Sequence, residues 1–188
     1  MRNIFKKSLL FIATGFMAST IGAQTTVTWT PTEADVTALT NTSVHVITIG
    51  AGTQSFQVYS IRPFFNSSQV KLAWDASANA IKMTDNGIDK AGLAIYIPAN
   101  SDDVQKITVY MHTTGSRKTL YADGKTCPNS GTPTTSAIDK TPTAYNFWSA
   151  PFQKDWYYAF GGRKDGSGES YYDKIEVVFA GPAGPVAV

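Results

Sequence analysis

Short segments in which apolar and polar residues alternate make up most of the chain, and they limit its fold more than any other feature. In Leu93–Ile97 the larger aliphatic residues fall at every second position, and Ile175, Val177 and Phe179 repeat this spacing near the C-terminus. A period of two places one face of a strand against a core and the other face in water. No long stretch has the 3.6-residue period of an amphipathic helix. The pattern therefore predicts a protein built from β-strands.

The segments are numerous, rich in β-branched and aromatic residues, and separated by turn residues such as Asn86-Gly87. They are Thr25–Thr30, Val44–Ile49, Ser55–Ile61, Val70–Trp74, Ala80–Thr84, Leu93–Ile97, Val104–His112, Arg117–Ala122, Trp156–Gly161 and Tyr171–Phe179. Strands that each have one clean apolar face pack as two layers. We predict an all-β fold: a single antiparallel β-sandwich of the jelly-roll or galactose-binding-like kind.

The first 23 residues have the pattern of a secretory signal peptide. Arg2, Lys6 and Lys7 precede a short apolar run, Leu9–Met17, and small residues lead to a cleavage point after Ala23. The run is too short to span a bilayer. The alternative is an uncleaved N-terminal anchor helix. We predict a signal peptide at 1–23 and a secreted, periplasmic or cell-surface protein of the Gram-negative bacterial type.

One domain remains after the signal, a β-sandwich at 24–180, because a chain of this length matches a single core. The tail at 181–188 is rich in Pro, Gly and Ala and resembles a linker. Either the chain ends there or it is the front module of a longer protein that carries a catalytic domain. Cys127 is the only cysteine, so no intramolecular disulfide can form.

The charges argue against nucleic acid as a partner. The full sequence has 16 Lys and Arg against 14 Asp and Glu; the signal holds three of the basic residues, which leaves 13 against 14. The remaining charges are dispersed, whereas a nucleic-acid surface needs a basic patch. No later segment approaches 18 consecutive apolar residues. We predict no nucleic-acid partner and, after cleavage, no membrane partner.

Motifs that carry chemistry are missing from the sequence. His45 and His112 lie outside any HExxH motif, and there is no G-x-S-x-G elbow. The acidic residues Asp85 and Asp89, and those of 165–169, lack the spacing of an EF-hand loop, although a structural calcium ion at them is an open alternative. We predict no catalytic residue, no cofactor and no metal ligand, and hence a protein that is not an enzyme.

Aromatic residues concentrate toward the C-terminal end, where ten lie between Tyr145 and Tyr172. A sandwich of this size cannot bury all of them, and the alternation in Trp156–Phe160 sets Tyr157 on the face opposite Tyr158. Flat aromatic rings beside hydrogen-bonding side chains suit sugars, which have apolar C–H faces and many hydroxyls. The alternative is that the cluster is core plus ordinary surface.

Two stretches carry a resemblance to a known group of proteins. Val104–Gly124 has a strand, a small-residue loop and an Arg-bearing strand, and Trp156–Phe179 has two Tyr-Tyr strands around a Gly-rich turn. Together they resemble the carbohydrate-binding-like jelly rolls attached to secreted bacterial polysaccharide-degrading enzymes, notably pectate lyases. The resemblance implies a β-sandwich, an extracytoplasmic location and glycan binding. It assigns Arg117 as the strand arginine and Tyr158 and Tyr172 as the hairpin tyrosines.

We therefore predict a secreted, non-catalytic module that binds polysaccharide or oligosaccharide by aromatic stacking and polar contacts. The candidate ligand-binding residues are Arg117, Trp148, Tyr157, Tyr158, Arg163 and Tyr172. One alternative is a structural or adhesive β-sandwich that contacts protein. Another is a small polysaccharide hydrolase or lyase that uses carboxylates such as Asp165 or Asp173.

Overall fold

The computed structural model describes residues 23–40, 46–61, 72–83, 92–126 and 134–181, apart from the side chains at 61 and 162–164. In these ranges the chain forms twelve strands and one short helix. They are β1 (Thr25–Trp29), α1 (Glu33–Thr40), β2 (Val46–Ala51), β3 (Gln54–Ile61), β4 (Leu72–Asp75), β5 (Ala80–Met83), β6 (Gly92–Ile97), β7 (Val104–Thr113), β8 (Lys118–Gly124), β9 (Thr134–Ala137), β10 (Thr143–Tyr145), β11 (Trp156–Lys164) and β12 (Ser170–Phe179). The predicted signal peptide and tail lie almost wholly outside the described residues, and so do Cys127, His45, Asp85 and Asp89.

The strands form two six-stranded antiparallel sheets. Sheet I has the order β10-β7-β12-β5-β4, and β1 also pairs with β12. Sheet II has the order β2-β3-β6-β11-β8-β9. Since consecutive strands such as β7 and β8, or β11 and β12, lie in different sheets, the chain crosses repeatedly between layers. The predicted antiparallel β-sandwich is confirmed.

The core lies between the sheets and is built from the alternating apolar residues of both. Sheet II contributes Phe56 and Val58 of β3 with Leu93, Ile95 and Ile97 of β6, all with 0% of their surface exposed. Sheet I contributes the buried alternating residues of β7 and β12, which are Ile107, Val109, Met111, Ile175, Val177 and Phe179. Burial of these side chains is the main favourable term in folding. It also fixes which side chains face outward, because a strand has only two faces.

The helix α1 joins β1 to β2 and packs against the core through Val36 and Leu39. Its first turn is held by Asp35, whose carboxylate accepts hydrogen bonds from the Thr32 amide at 2.9 Å and from the Trp29 indole at 3.2 Å. A side-chain oxygen satisfies amides that a helix start leaves without partners. No helix in the described ranges is long and apolar enough to cross a membrane.

Candidate functional site

Three tyrosines meet on the outer face of sheet II. Tyr59 lies on β3, Tyr96 on β6 and Tyr157 on β11, and these strands are neighbours in the sheet. Each is next to a buried core residue along its strand (Val58, Ile95 and Tyr158, respectively), so alternation turns it away from the core. Tyr96 and Tyr157 are directly opposite each other in the β6–β11 pairing. We call Tyr59, Tyr96 and Tyr157 the tyrosine cluster.

The rings of the tyrosine cluster touch one another. The centroids of Tyr96 and Tyr157 are 4.7 Å apart, with the rings tilted by 39°. Tyr59 meets Tyr157 edge-on at 5.7 Å and Tyr96 edge-on at 6.1 Å. Such offset and edge-to-face contacts are the favoured geometries for aromatic pairs. All three side chains are half-buried, so each keeps part of its ring surface in contact with solvent.

Small residues lie beneath two of these rings, those of Tyr59 and Tyr157. Ala94 and Ala159 are paired across β6 and β11, on the same outer face, and both have 0% of their surface exposed. Tyr59, Tyr157 and Ala122 pack against them. The outer face of a sandwich sheet ordinarily carries polar side chains. Here it carries an apolar floor on which aromatic rings can lie across the strands.

Hydrogen bonds hold two of the tyrosine hydroxyls. Tyr96 donates to the Asp155 carboxylate over 2.7 Å, and Tyr59 donates to the Gln57 amide oxygen over 2.8 Å. Asp155 has a positive φ of 56°, and its own amide donates to the Ile97 carbonyl at 2.8 Å. The hydrogen bond to Asp155, assisted by burial, raises the pKa of Tyr96 to about 12. The cluster therefore combines uncharged rings with polar groups fixed at its edge.

The outer face of sheet I has a different character, because charged side chains pair there. Glu176 accepts hydrogen bonds from Lys174 at 2.7 Å and from the Tyr110 hydroxyl at 2.9 Å. The Lys174 ammonium also lies 4.0 Å from the centroid of the Tyr110 ring. The hydrogen bond from Lys174 lowers the pKa of Glu176, and the same bond raises the pKa of Lys174.

A histidine–aspartate pair lies beside this group on the same face. His112 Nδ1 is 2.8 Å from Asp173 Oδ2, and the two side chains are 14% and 16% exposed. The imidazole stacks flat on Tyr171, with the centroids 4.7 Å apart and the planes at 8°. Burial raises the pKa of the Asp173 carboxyl, and the hydrogen bond with His112 opposes that rise. A carboxylate on Nδ1 orients an imidazole for proton exchange at Nε2.

Three of the predicted ligand-binding residues belong to the interior. Trp148 is 8% exposed, Tyr158 is 3% and Tyr172 is 2%. The Tyr158 hydroxyl accepts a hydrogen bond from the Gln153 amide at 2.6 Å, and the Tyr172 hydroxyl is 3.0 Å from the Met83 sulfur. Their rings fill the space between the sheets and are not presented to solvent. The expectation that they stack on a sugar therefore loses its geometric basis.

The two predicted arginines lie at the opposite end of β11 from the tyrosine cluster. Arg117 donates to the carbonyls of Gly168, at 3.1 Å, and Asp165, at 3.4 Å, which fastens the β7–β8 turn to the β11–β12 turn. Gly168 has a φ of +86°, and a side chain there would collide with Gly115. Arg117 thus has a structural role in this contact. Arg163 is part of β11, but its side chain lies outside the described residues.

Among the six predicted residues, only Tyr157 lies in the tyrosine cluster. Tyr59 and Tyr96 were missed, although a signal existed: both occupy the positions that alternate with core residues in their strands. As to metals, no group of three His, Cys, Asp or Glu side chains in the described ranges is placed to hold an ion.

Comparisons with known proteins give little to add to this geometry. No protein-family model and no curated protein matches the chain. The structure of a family two carbohydrate esterase from Cellvibrio japonicus is similar, with a TM-score of 0.46 and 11% sequence identity, over 85% of this chain and 36% of that chain. The chain thus spans about a third of the length of that structure.

This finding contradicts the prediction that the protein is not an enzyme, because the similar structure is that of a carbohydrate esterase. We withdraw that prediction. A likeness of this size assigns no reaction and no catalytic residue to the chain.

Proposed function

We propose that the protein binds carbohydrate on the outer face of sheet II, with sugar rings stacked on the tyrosine cluster. The observation that carries this proposal is the contact of three half-buried tyrosine rings, two of which pack on Ala94 and Ala159, on a face that is ordinarily polar. Apolar patches on a protein surface mark interaction sites more often than chance. The ligand is a polysaccharide or an oligosaccharide derived from it.

The chemistry of the patch matches both the apolar C–H groups and the polar hydroxyls of a sugar ring. The tyrosine faces offer a flat apolar surface to the C–H groups of a pyranose. Gln57 and Asp155, at the edge of the patch, offer hydrogen-bond acceptors and donors to its hydroxyls. Because the patch is shallow and partly open to solvent, we expect weak affinity, in the micromolar to millimolar range.

The proposed site of action is outside the cytoplasm. This part of the proposal rests on the predicted signal peptide at 1–23, where a basic start precedes an apolar run and small residues. N-terminal sequencing of the exported protein would support it by finding Gln24 first. An N-terminus that retains Met1 would contradict it.

Affinity gel electrophoresis against a panel of polysaccharides tests the binding proposal. The mature wild-type chain should be retarded by at least one polysaccharide, and Tyr157→Ala should lose the retardation. The matched control is Tyr110→Ala, which removes a partly exposed tyrosine from the other sheet. Equal retardation of wild type and Tyr157→Ala, or none at all, would contradict the proposal.

As a second candidate we propose hydrolysis at the His112–Asp173 pair, which is favoured by the 2.8 Å contact and the flat packing of Tyr171. His112 Nε2 makes no hydrogen bond with the described residues. It is placed to take a proton from water as the water oxygen attacks an ester carbonyl carbon. The proton then passes to the leaving alcohol as the carbon–oxygen bond breaks.

Release of acetate from acetylated polysaccharide tests this second candidate. Wild type should release acetate, and His112→Gln should abolish release, with Asp173→Asn reducing it. Tyr110→Ala serves again as the control on the same sheet. Hydrolysis that survives His112→Gln, or no hydrolysis by wild type, would remove the candidate.

A further inference from the structure

We infer that the tyrosine cluster selects neutral glycans and rejects acidic ones such as polyuronates. This inference rests on the proposed function, and it names the class of sugar that the site takes. It follows from which charges touch the cluster and which do not.

One carboxylate is attached directly to the cluster. Asp155 Oδ1 accepts the hydrogen bond of the Tyr96 hydroxyl at 2.7 Å, and the side chain is half-buried. The Asp155 backbone is fixed by a hydrogen bond from its amide to the carbonyl of Ile97, which is the residue after Tyr96. Asp155 also lies two positions before Tyr157 in the sequence. A negative charge is thus held at the edge of the stacking surface.

The outward side chains that the structure describes around the cluster provide no compensating positive charge. Within the described part of β2, β3, β6, β8 and β11, those nearest the cluster are Val46, Thr48, Gln57, Ala94, Ala122, Gly124 and Ala159. Lys118 faces the same side but is six residues from Gly124 along β8, or about 20 Å at the rise of a strand. Among the described side chains, a uronate stacked on the rings would therefore meet Asp155 without a neighbouring cation.

Two lysines lie nearer to the tyrosine cluster than Lys118 does: Lys154 is close to Tyr157 in the sequence, and Lys125 follows Gly124, which pairs with Tyr157. Lys154 pairs with Asp103 at 2.8 Å, so its charge is matched elsewhere. Lys125 follows Gly124 at the end of β8 and is exposed, but it makes no hydrogen bond to the cluster within the described residues. Like charges in contact disfavour a complex, whereas an exposed lysine that is not hydrogen-bonded to the cluster contributes little to an interaction in water. Asp155 should therefore dominate the selection.

The experiment compares a neutral polysaccharide with the same polymer oxidised at C6, which replaces a CH2OH group by a carboxylate. Cereal β-glucan and galactomannan provide two such matched pairs. Wild type should bind the oxidised polymer about ten-fold more weakly than the neutral one at low salt. High salt should narrow the gap.

Two variants locate the cause of the discrimination. Asp155→Asn keeps a hydrogen-bonding group beside Tyr96 and removes the charge, so the ratio of neutral to oxidised binding should fall to about three-fold or less, whatever the change in neutral binding itself. Lys125→Gln is the matched control at the cluster's other side, and it should leave the gap unchanged.

The outcomes separate this inference from the proposal beneath it. Equal or tighter binding of the oxidised polymer by wild type would overturn the neutral-glycan inference and leave carbohydrate binding intact. A gap that survives Asp155→Asn would overturn the role of that carboxylate. Failure to bind either form, with Tyr157→Ala indistinguishable from wild type, would overturn the proposed function itself.

Discussion

The two outer faces of the sandwich cover the same core and have opposite chemistry. On sheet I, Lys174, Glu176 and Tyr110 satisfy one another through hydrogen bonds and a cation–π contact. On sheet II, Tyr59 and Tyr157 lie over buried alanines, and the ring surfaces remain partly open. A strand contributes to the core in the same way on both sheets, so the core does not explain this difference.

The comparison teaches what distinguishes a solvated face from a binding face in a fold of this kind. Charged pairs on a sheet surface need no partner, because each charge already has one. Aromatic rings over alanine keep apolar area in water, which is a cost that a stacked ligand removes. Ala94 and Ala159 are as important as the rings, since larger side chains at these positions would prevent the rings from lying across the strands.

The largest expected effect is a loss of stability on substitution in the core, with no change in binding on either outer face. Trp148→Ala should lower the free energy of unfolding by about 3–5 kcal/mol, because the indole packs against Tyr158 and Phe160 in the core. Denaturant titration measures this loss. The fraction that remains folded should bind polysaccharide like wild type. If the Trp148→Ala protein were stable but had lost binding, Trp148 would belong to the binding site, and the assignment of binding to the outer face of sheet II would be contradicted.

An intermediate effect tests the floor of the cluster. Ala159→Leu should displace the Tyr157 ring, because Ala159 has no exposed surface and no room for added atoms. Overpacking of this kind costs about 1–3 kcal/mol, and binding should weaken as well. Thermal unfolding and affinity electrophoresis measure the two effects. Thr108→Val, a buried outward position on sheet I, is the control and should leave binding unchanged.

The pH dependence of the free energy of unfolding tests the outer face of sheet II in the absence of any ligand. The pKa of Tyr96 rises from 10.0 to about 12 in the folded protein, since its hydroxyl donates to Asp155. The folded state therefore holds this proton more tightly, and its stabilisation is complete below pH 10.0 and is lost as the pH rises toward 12. Tyr96→Phe should flatten the loss of stability over that range. An unchanged alkaline profile would contradict the hydrogen bond.

The smallest effect belongs to the charged face. Lys174→Ala should cost about 0.2–1 kcal/mol, as is typical of partly exposed ion pairs. The pKa of Glu176 is lowered by Lys174, so the stabilisation is present above the carboxyl's ordinary pKa and disappears as the pH falls through the lowered value. The difference between wild type and variant should thus vanish in acid. Loss of polysaccharide binding in Lys174→Ala would show that the wrong face was chosen.

Alternation predicted the architecture because the apolar and polar positions within each strand show which of its faces is buried. Leu93, Ile95 and Ile97 share a face in sequence and reach the core together in the structure. The same rule placed Tyr157 outward and Tyr158 inward. It could not predict which strands are neighbours, since β3, β6 and β11 are distant in the chain and join only through sheet II.

The tyrosine cluster was missed for that reason. Tyr59 and Tyr96 lie far from the aromatic-rich stretch, and only strand order brings them to Tyr157. Trp148 was misjudged for a different reason. It lies between β10 and β11, where no alternation assigns a face, so sequence alone gave no sign that its ring enters the core.

A titration of the isotope-labelled protein by two-dimensional NMR tests the central claim most directly. The ligand is an oligosaccharide from the neutral polysaccharide that the wild type retains. The account predicts that the largest shift changes occur at Tyr59, Tyr96 and Tyr157 and their neighbours, with those of Tyr110 and Tyr171 unmoved. Shift changes centred on Tyr110 and Tyr171 instead would contradict it and assign binding to sheet I.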